Sequence, residues 1–330
     1  MEFFRSPNVN WLGWKWYFLS FSLIFSVAGL VSMGWHWVHV GSPIPLGVDF
    51  RGGTEVTVQF KNPPDVGAIR SAMDAAGYRD AKIQSIRGEG EANQALISLP
   101  ERQNESNLDI DRQQVIAALQ QKYSANPFDP NKDLQLSVVG PTVGKQLQEK
   151  AIQATLLSLA GMLVYLWFRF QLIYGVAAVV ACFHDTLITV GAFSLASSLG
   201  FNLEINLTVV AAILTLIGYS MNDTIVVFDR IRENLRLSRR ESLPDVVNRS
   251  INQTLSRTVL TSGLTFLTVL SLFIFGGQVL KGFSFALVVG ILIGTYSSIA
   301  IAAPMLVAWQ EWRARRGKAA VLPAARRART

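Results

Sequence analysis

Six long apolar runs separated by short polar intervals dominate the 330-residue chain: Trp16 to Val48 (histidines aside), Ala151 to Phe168, Phe170 to Phe201 (broken only by His184 and Asp185), Ile205 to Asn222, Thr258 to Leu280 and Gly282 to Gln310. Each supplies the roughly 20 residues that a helix needs to cross a ~30 Å hydrocarbon layer. The runs predict membrane helices over about 16–36, 149–168, 171–197, 205–228, 255–277 and 282–308. Between the first two the period changes. Thr54 to Phe60 alternates as a strand, Pro64 to Ala76 carries Val66, Ile69, Ala72 and Met73 at helical spacing, and Asp80 to Arg87 alternates again. After a turn at Gly88-Glu89-Gly90 come a short strand at Ala95 to Leu99, a helix at Ile110 to Tyr123 and a last strand at Leu134 to Val139. The expected fold is an α-helical membrane protein of six spans plus a small α+β, ferredoxin-like βαββαβ domain with an antiparallel sheet backed by two helices.

Composition agrees with a membrane location. Half of the residues are apolar and 16% are charged, which excludes disorder and argues against a soluble globule. Lys and Arg in short loops mark the cytoplasmic side. Arg5 and Lys15, Arg169, the cluster from Arg230 to Arg249, and the tail from Arg313 to Arg329 all fall on one face, whereas the two short loops opposite hold only Glu204 and Lys281. Both termini, 1–15 and the basic tail 311–330, are therefore expected in the cytoplasm and 37–148 in the periplasm. The net charge of +7 is mostly topology, and membrane lipid rather than nucleic acid is the expected partner of the tail. Trp35 and Trp37 read as an interfacial belt, and no A-x-A-like site follows, so the first span is expected to be retained. The lone Cys182 allows no intrachain disulfide.

Within the spans the chemistry concentrates on Asp223. A carboxylate in an apolar helix costs roughly 2.5–3.5 kcal/mol and is a functional-site candidate by default. Arg257, entering the next span at similar depth, is its expected partner, with an ionised Asp223 held by Arg257 and a protonated one released; the alternative is a static salt bridge. Span five is rich in hydroxyls (Ser256, Thr258, Thr261, Ser262, Thr265, Thr268), which either bond back to their own helix or hold water near Asp223. Span six carries small residues at Gly282, Ala286, Gly290, Gly294, Ser298 and Ala302, expected to admit a close-packed helix. Gly52 and Gly53, at the junction between the first span and the first strand, are either a point of required backbone freedom or an ordinary turn. H-E-x-x-H, G-x-S-x-G and G-x-G-x-x-G are absent, Gly140 to Lys145 is one residue short of a phosphate loop, and Asp223 lies in S-M-N-D rather than the G-x-G-D of intramembrane aspartyl proteases, so no enzyme, metal site or cofactor is expected.

Together these stretches resemble the SecD/SecF family of bacterial protein-export membrane proteins. The signatures are Gly47-Val48-Asp49-Phe50-Arg51-Gly52-Gly53-Thr54, Val139 to Gly144, His184-Asp185, Gly218 to Asn234, and Gln253 to Thr258 with Thr261-Ser262-Gly263. The family is similar in design to resistance-nodulation-division transporters. By that resemblance Asp223 and Arg257 carry proton transfer, with Asn222, Thr261, His184 and Asp185 as supporting polar groups. Asn222 stands where those transporters often have a second Asp, which puts a two-acid relay in question. The resemblance further implies a bacterial inner-membrane protein, a SecD partner supplying another six-span half, the Sec translocon channel and its accessory subunits, unfolded preproteins as clients, and protons as the coupling ion. A half-transporter for small molecules or lipids, and a non-titrating scaffold, are the alternatives.

Overall fold

The computed structural model describes residues 7–78, 81–86, 93–100, 108–123, 126–129, 133–201, 203–238, 241–277 and 279–316; the Gly88-Glu89-Gly90 turn and the end of the basic tail lie outside them. Among the described residues six helices are long and apolar enough to cross a membrane. They are α1 (Lys15–Val40), α5 (Pro141–Arg169), α6 (Leu172–Ser198), α7 (Leu207–Leu237), α8 (Leu243–Phe275), and a composite sixth span of α9 (Lys281–Ser297), a π-turn (Ser298–Ala302) and α10 (Ala303–Arg315). A short α2 (Val48–Arg51) links α1 to the small domain, which runs β1 (Gly53–Gln59), α3 (Val66–Ala75), β2 (Lys82–Ile86), β3 (Gln94–Pro100), α4 (Leu108–Lys122) and β4 (Leu134–Val139).

Several helices outrun their apolar stretch because local caps, not hydrophobicity, set their ends. α5 begins at Pro141 rather than near 149: Gly140 is extended, and proline at the first helical position gives up an N–H that would be orphaned anyway. The segment 141–148, expected in the small domain, is thus the polar first turns of α5. α8 starts at Leu243, well before 255, where Ser242 accepts from the Asp245 N–H at 3.3 Å and Pro244 occupies the first turn. α7 continues past 228 to Leu237, and α1 past 36 to Val40, ending at Gly41 with φ +80°. In the sixth span Pro304 lies in the first turn of α10, just after the π-turn. Proline lacks an N–H and clashes with the carbonyl four residues back, a conflict that a widened turn accommodates.

The sheet is antiparallel in the order β2-β3-β1-β4, with Val56 opposite Ile97 on β3 and Leu136 on β4. Alternation along β1 buries Val56 and Val58 on one face, where they join Ile97, Leu99, Ile69 and Met73 of α3, and Val115 and Leu119 of α4 in a separate core. In the membrane-helix core, half of the apolar window in each of α6, α7 and the sixth span is buried, against 17% for α1, 11% for α5 and 17% for α8. Three helices are therefore inner and three peripheral, and the peripheral ones turn side chains such as Trp16, Trp37, Leu157 and Leu264 outward.

The junction of the two parts is tightly built. Gly52 and Gly53 take φ values of +80° and +133°, which side chains with a Cβ rarely adopt, so the reading of required backbone freedom holds. A Cβ on Gly144 of α5 would lie 2.9 Å from the Phe50 carbonyl oxygen, and Gln148 Nε2 donates to that oxygen at 2.8 Å. Gly47 N donates to Ile205 O at 2.9 Å, and Asp49 Oδ2 accepts from the Leu207 N–H at 2.9 Å, capping α7 from a distant part of the chain. Phe50 is buried, whereas Arg51 is exposed and reaches Ser42. Lys82 on β2 pairs with Glu204, just before α7.

Candidate functional site

Among the described residues two carboxyl groups lie buried among the membrane helices, and each is held by hydroxyls. Asp223 on α7 is 3% exposed, and its Oδ2 accepts from Ser262 Oγ of α8 at 2.7 Å. Asp185 on α6 is fully buried. Its Oδ2 accepts from Ser220 of α7 at 2.6 Å and from Ser297 of α9 at 2.7 Å, while Oδ1 lies 3.1 Å from His184 Nδ1. His184 Nε2 is in turn 2.5 Å from Ser22 Oγ on α1. Beside this cluster Thr224 Oγ1 and Ser298 Oγ meet at 2.9 Å. Ser220, Asp223 and Thr224 fall three and four residues apart, on one face of α7, so the two carboxyl groups belong to a single polar seam.

The expected direct pairing of Asp223 with Arg257 does not occur: among the described residues Arg257 makes no salt bridge, and it lies on the exposed side of α8. The reason is helical phase. Thr258, Ser262 and Val269 are the buried positions of this stretch, and Arg257 is turned about 100° from Thr258 by the 3.6-residue period. Asn222 is exposed for the same reason, one residue from the buried Asp223, and does not enter the seam. Thr261 is also exposed and donates to the carbonyls of Arg257 and Thr258, Thr265 to that of Thr261 and Thr268 to that of Leu264. Back-bonding thus accounts for Thr261, Thr265 and Thr268, half of the six hydroxyls from Ser256 to Thr268. Ser262 is the member that serves Asp223.

His184 and Asp185, expected as supporting groups, are instead the hub joining four helices. Ser22, Ser220 and Ser297 were not legible as site residues, since a small hydroxyl in an apolar helix looks the same whether it bonds its own backbone or a neighbour. Gly290 and Gly294 seat α9 against α7: a Cβ at Gly290 would come 2.4 Å from Leu216 Cδ2, and one at Gly294 2.9 Å from Ser220 Cβ. Their close packing is within this chain, and it delivers Ser297 to Asp185.

Among the described residues no group of His, Cys, Asp and Glu is arranged to hold a metal ion. Outside the spans, Glu55 on β1 faces Ser98 at 3.5 Å. Burial, and then the nearby Asp49 and Glu204 carboxylates, push its pKa above the ordinary glutamate value.

Residues 120–312 match the family model described as protein export membrane protein SecD/SecF, C-terminal, and residues 40–64 match that of the SecD/SecF GG motif. The chain is 52% identical to the protein translocase subunit SecF of Koribacter versatilis, covering 97% of this chain and 96% of that one. It is 39% identical to the SecF of Pseudomonas aeruginosa, over 91% of each chain. The solved structure of SecDF, a translocon-associated membrane protein from Thermus thermophilus, superposes with a TM-score of 0.74 at 36% identity, over 92% of this chain and 39% of that one, so the chain spans less than half of that longer protein. The chain belongs to the SecD/SecF family of protein export membrane proteins.

Proposed function

We propose that this protein translocase subunit works with a SecD-type partner to couple proton movement across the bacterial inner membrane to late translocation of unfolded preproteins, with Asp223 as a proton-carrying group. In this reading both termini are cytoplasmic, and the ferredoxin-like domain stands on the opposite, periplasmic side, where the preprotein emerges beside the Sec translocon. Protons are the only coupling ion required.

The observation that carries the reading is the arrangement around Asp223. A carboxyl group buried on α7 and bonded to one α8 hydroxyl sits beside an α8 face that exposes Arg257, Thr261 and Thr268. Facing lipid, a guanidinium near mid-membrane would cost roughly 2.5–3.5 kcal/mol. A second six-helix half covering that face removes the cost and sets Arg257 at the boundary between the halves, within electrostatic reach of Asp223. Gaining a proton removes the charge that strengthens the Ser262 bond and that Arg257 attracts, which biases how α7 meets α8 and the partner.

The test is Asp223→Asn, which keeps the shape of the protonated acid. It should preserve subunit abundance and partner co-purification, yet abolish the stimulation of export by a proton gradient in inverted membrane vesicles. Full gradient stimulation in that variant would refute proton carriage at Asp223. Loss of the folded complex instead would identify a structural scaffold.

A further inference from the structure

The hydrogen-bonded row from Ser22 through His184 to Asp185 is not used by the mechanism above. We propose that His184 and Asp185 form a second proton-holding site, which passes protons from the α1–α6 seam to the contact of α6 with α7 and the sixth span. The proposal deepens the proton-coupled reading and rests on it.

The geometry supports two protonation states of one framework. In the first, the Ser22 O–H donates to His184 Nε2, His184 Nδ1–H donates to the ionised Asp185 Oδ1, and Ser220 and Ser297 donate to Oδ2. A proton arriving at His184 Nε2 allows the Nδ1 proton to move to Asp185 Oδ1. The result is a neutral imidazole whose Nε2–H donates to Ser22 and whose Nδ1 accepts from the Asp185 O–H. One proton has entered, one N–H bond has formed at Nε2, and one has been exchanged for an O–H bond. No heavy atom needs to move.

The consequence falls on Oδ2, because two charge-assisted bonds from α7 and α9 become ordinary ones of roughly half the strength. Ser297 is the last residue of α9 before the π-turn, and Ser298, the first in it, bonds Thr224 of α7. A widened turn of this kind is a recurrent feature of functional helices. Protonation at Asp185 is therefore felt where the sixth span is least regular.

The surroundings suit a proton-holding site. His184 keeps 15% side-chain exposure and Asp185 1%, so protons enter at the imidazole and not directly at the carboxyl. His184 is the one basic group on Asp185 among the described residues. Of the other titratable groups nearby, Cys182 lies on the same helix with its thiol toward Ile217 O, Asp223 points to Ser262 on α8, and the Tyr296 hydroxyl on α9 is engaged by Phe18 O. Ser22, His184 and Asp185 also have the residue types of a hydrolytic triad. Ser22 sits inside α1, whose backbone N–H groups are consumed by the helix, leaving none to stabilise an oxyanion.

Proton flux through the complete complex with its SecD-type partner, reconstituted in liposomes enclosing a pH-sensitive dye and driven at a series of external pH values, tests the site. His184→Gln should lower flux on the order of 10²-fold and flatten its pH dependence, and Ser22→Ala should displace the pH profile. Asp185→Asn should abolish flux; if that variant does not accumulate, His184→Gln decides. Asp223→Asn is measured alongside. Flux lost in Asp223→Asn but unchanged in magnitude and pH profile in His184→Gln and Ser22→Ala would overturn the second site and leave proton coupling standing. Wild-type flux in Asp223→Asn would remove the underlying reading instead.

Discussion

Single residues in this chain act through the phase at which their helix presents them. Asp223 and Asn222 are sequence neighbours, yet one is buried against Ser262 and the other exposed, and the same separation divides Ser262 from Thr261. Glu55 shows how burial alone governs a carboxyl outside the membrane helices. Its pKa is raised above the ordinary glutamate value chiefly by desolvation, with Asp49 and Glu204 adding like charge. The folded state therefore holds the proton more tightly than the unfolded chain, and stability falls as pH rises from the unfolded value through the folded one. Glu55→Gln removes this loss. We expect that substitution to raise the thermal midpoint of the detergent-solubilised protein at neutral pH and to leave it nearly unchanged in acid. An equal shift at both pH values would mean that the charge at Glu55 is not what weakens the fold.

Elements are joined by close approach at glycine and by hydroxyl pairs, as expected where lipid offers helices no hydrophobic reason to associate. α9 meets α7 along Gly290 and Gly294, where added side chains would overlap Leu216 and Ser220. Gly290→Leu should cost at least about 1–3 kcal/mol, the range for overpacking a filled core. The lowered thermal midpoint should be measurable in the subunit purified without any partner, because the contact is internal. If the variant melted normally alone and failed only in partner assembly, the glycines would belong to an intersubunit surface. The caps act at the same level: Asp49 and Asn206 both accept from N–H groups at the start of α7, so the junction motif and the helix carrying Asp223 share one set of bonds.

For the molecule as a whole, the GG segment forms a short mechanical path between the sheet and the helices. β1 starts at Gly53, Gly52 turns the backbone, Phe50 meets α5, and Asp49 holds α7. Under the proposed proton coupling, a displacement of α7 would have a direct route to the small domain through these contacts. The accompanying topology is checkable because Cys182, the one cysteine of the chain, is buried at 1% exposure. Membrane-impermeant thiol reagent on intact cells should label Lys61→Cys and spare Glu233→Cys, both native residues being exposed. The reverse pattern would invert the orientation drawn from the basic loops.

Hydrophobic run length by itself determined the six spans, since the thickness of a hydrocarbon layer leaves little freedom in how long an apolar helix must be. Alternating period likewise determined the β-α-β-β-α-β order, because each face of β1 is either buried or not. The conspicuous cost of a carboxylate in such a run marked Asp223 without any structure, whereas Asp185 entered only as a supporting group through the family resemblance. What those carboxyl groups touch was decided only by tertiary packing. Composition places Arg257 and Ser262 on the same span, but the rotation of α8 determines which faces Asp223. Ser22, Ser220 and Ser297 come from three helices far apart in the chain, and their convergence on His184 and Asp185 exists only once α1, α7 and α9 are packed around α6. Helix ends were set by capping bonds and prolines that run length does not sense, and a hydroxyl satisfied by its own helix leaves the same trace in sequence as one reaching across.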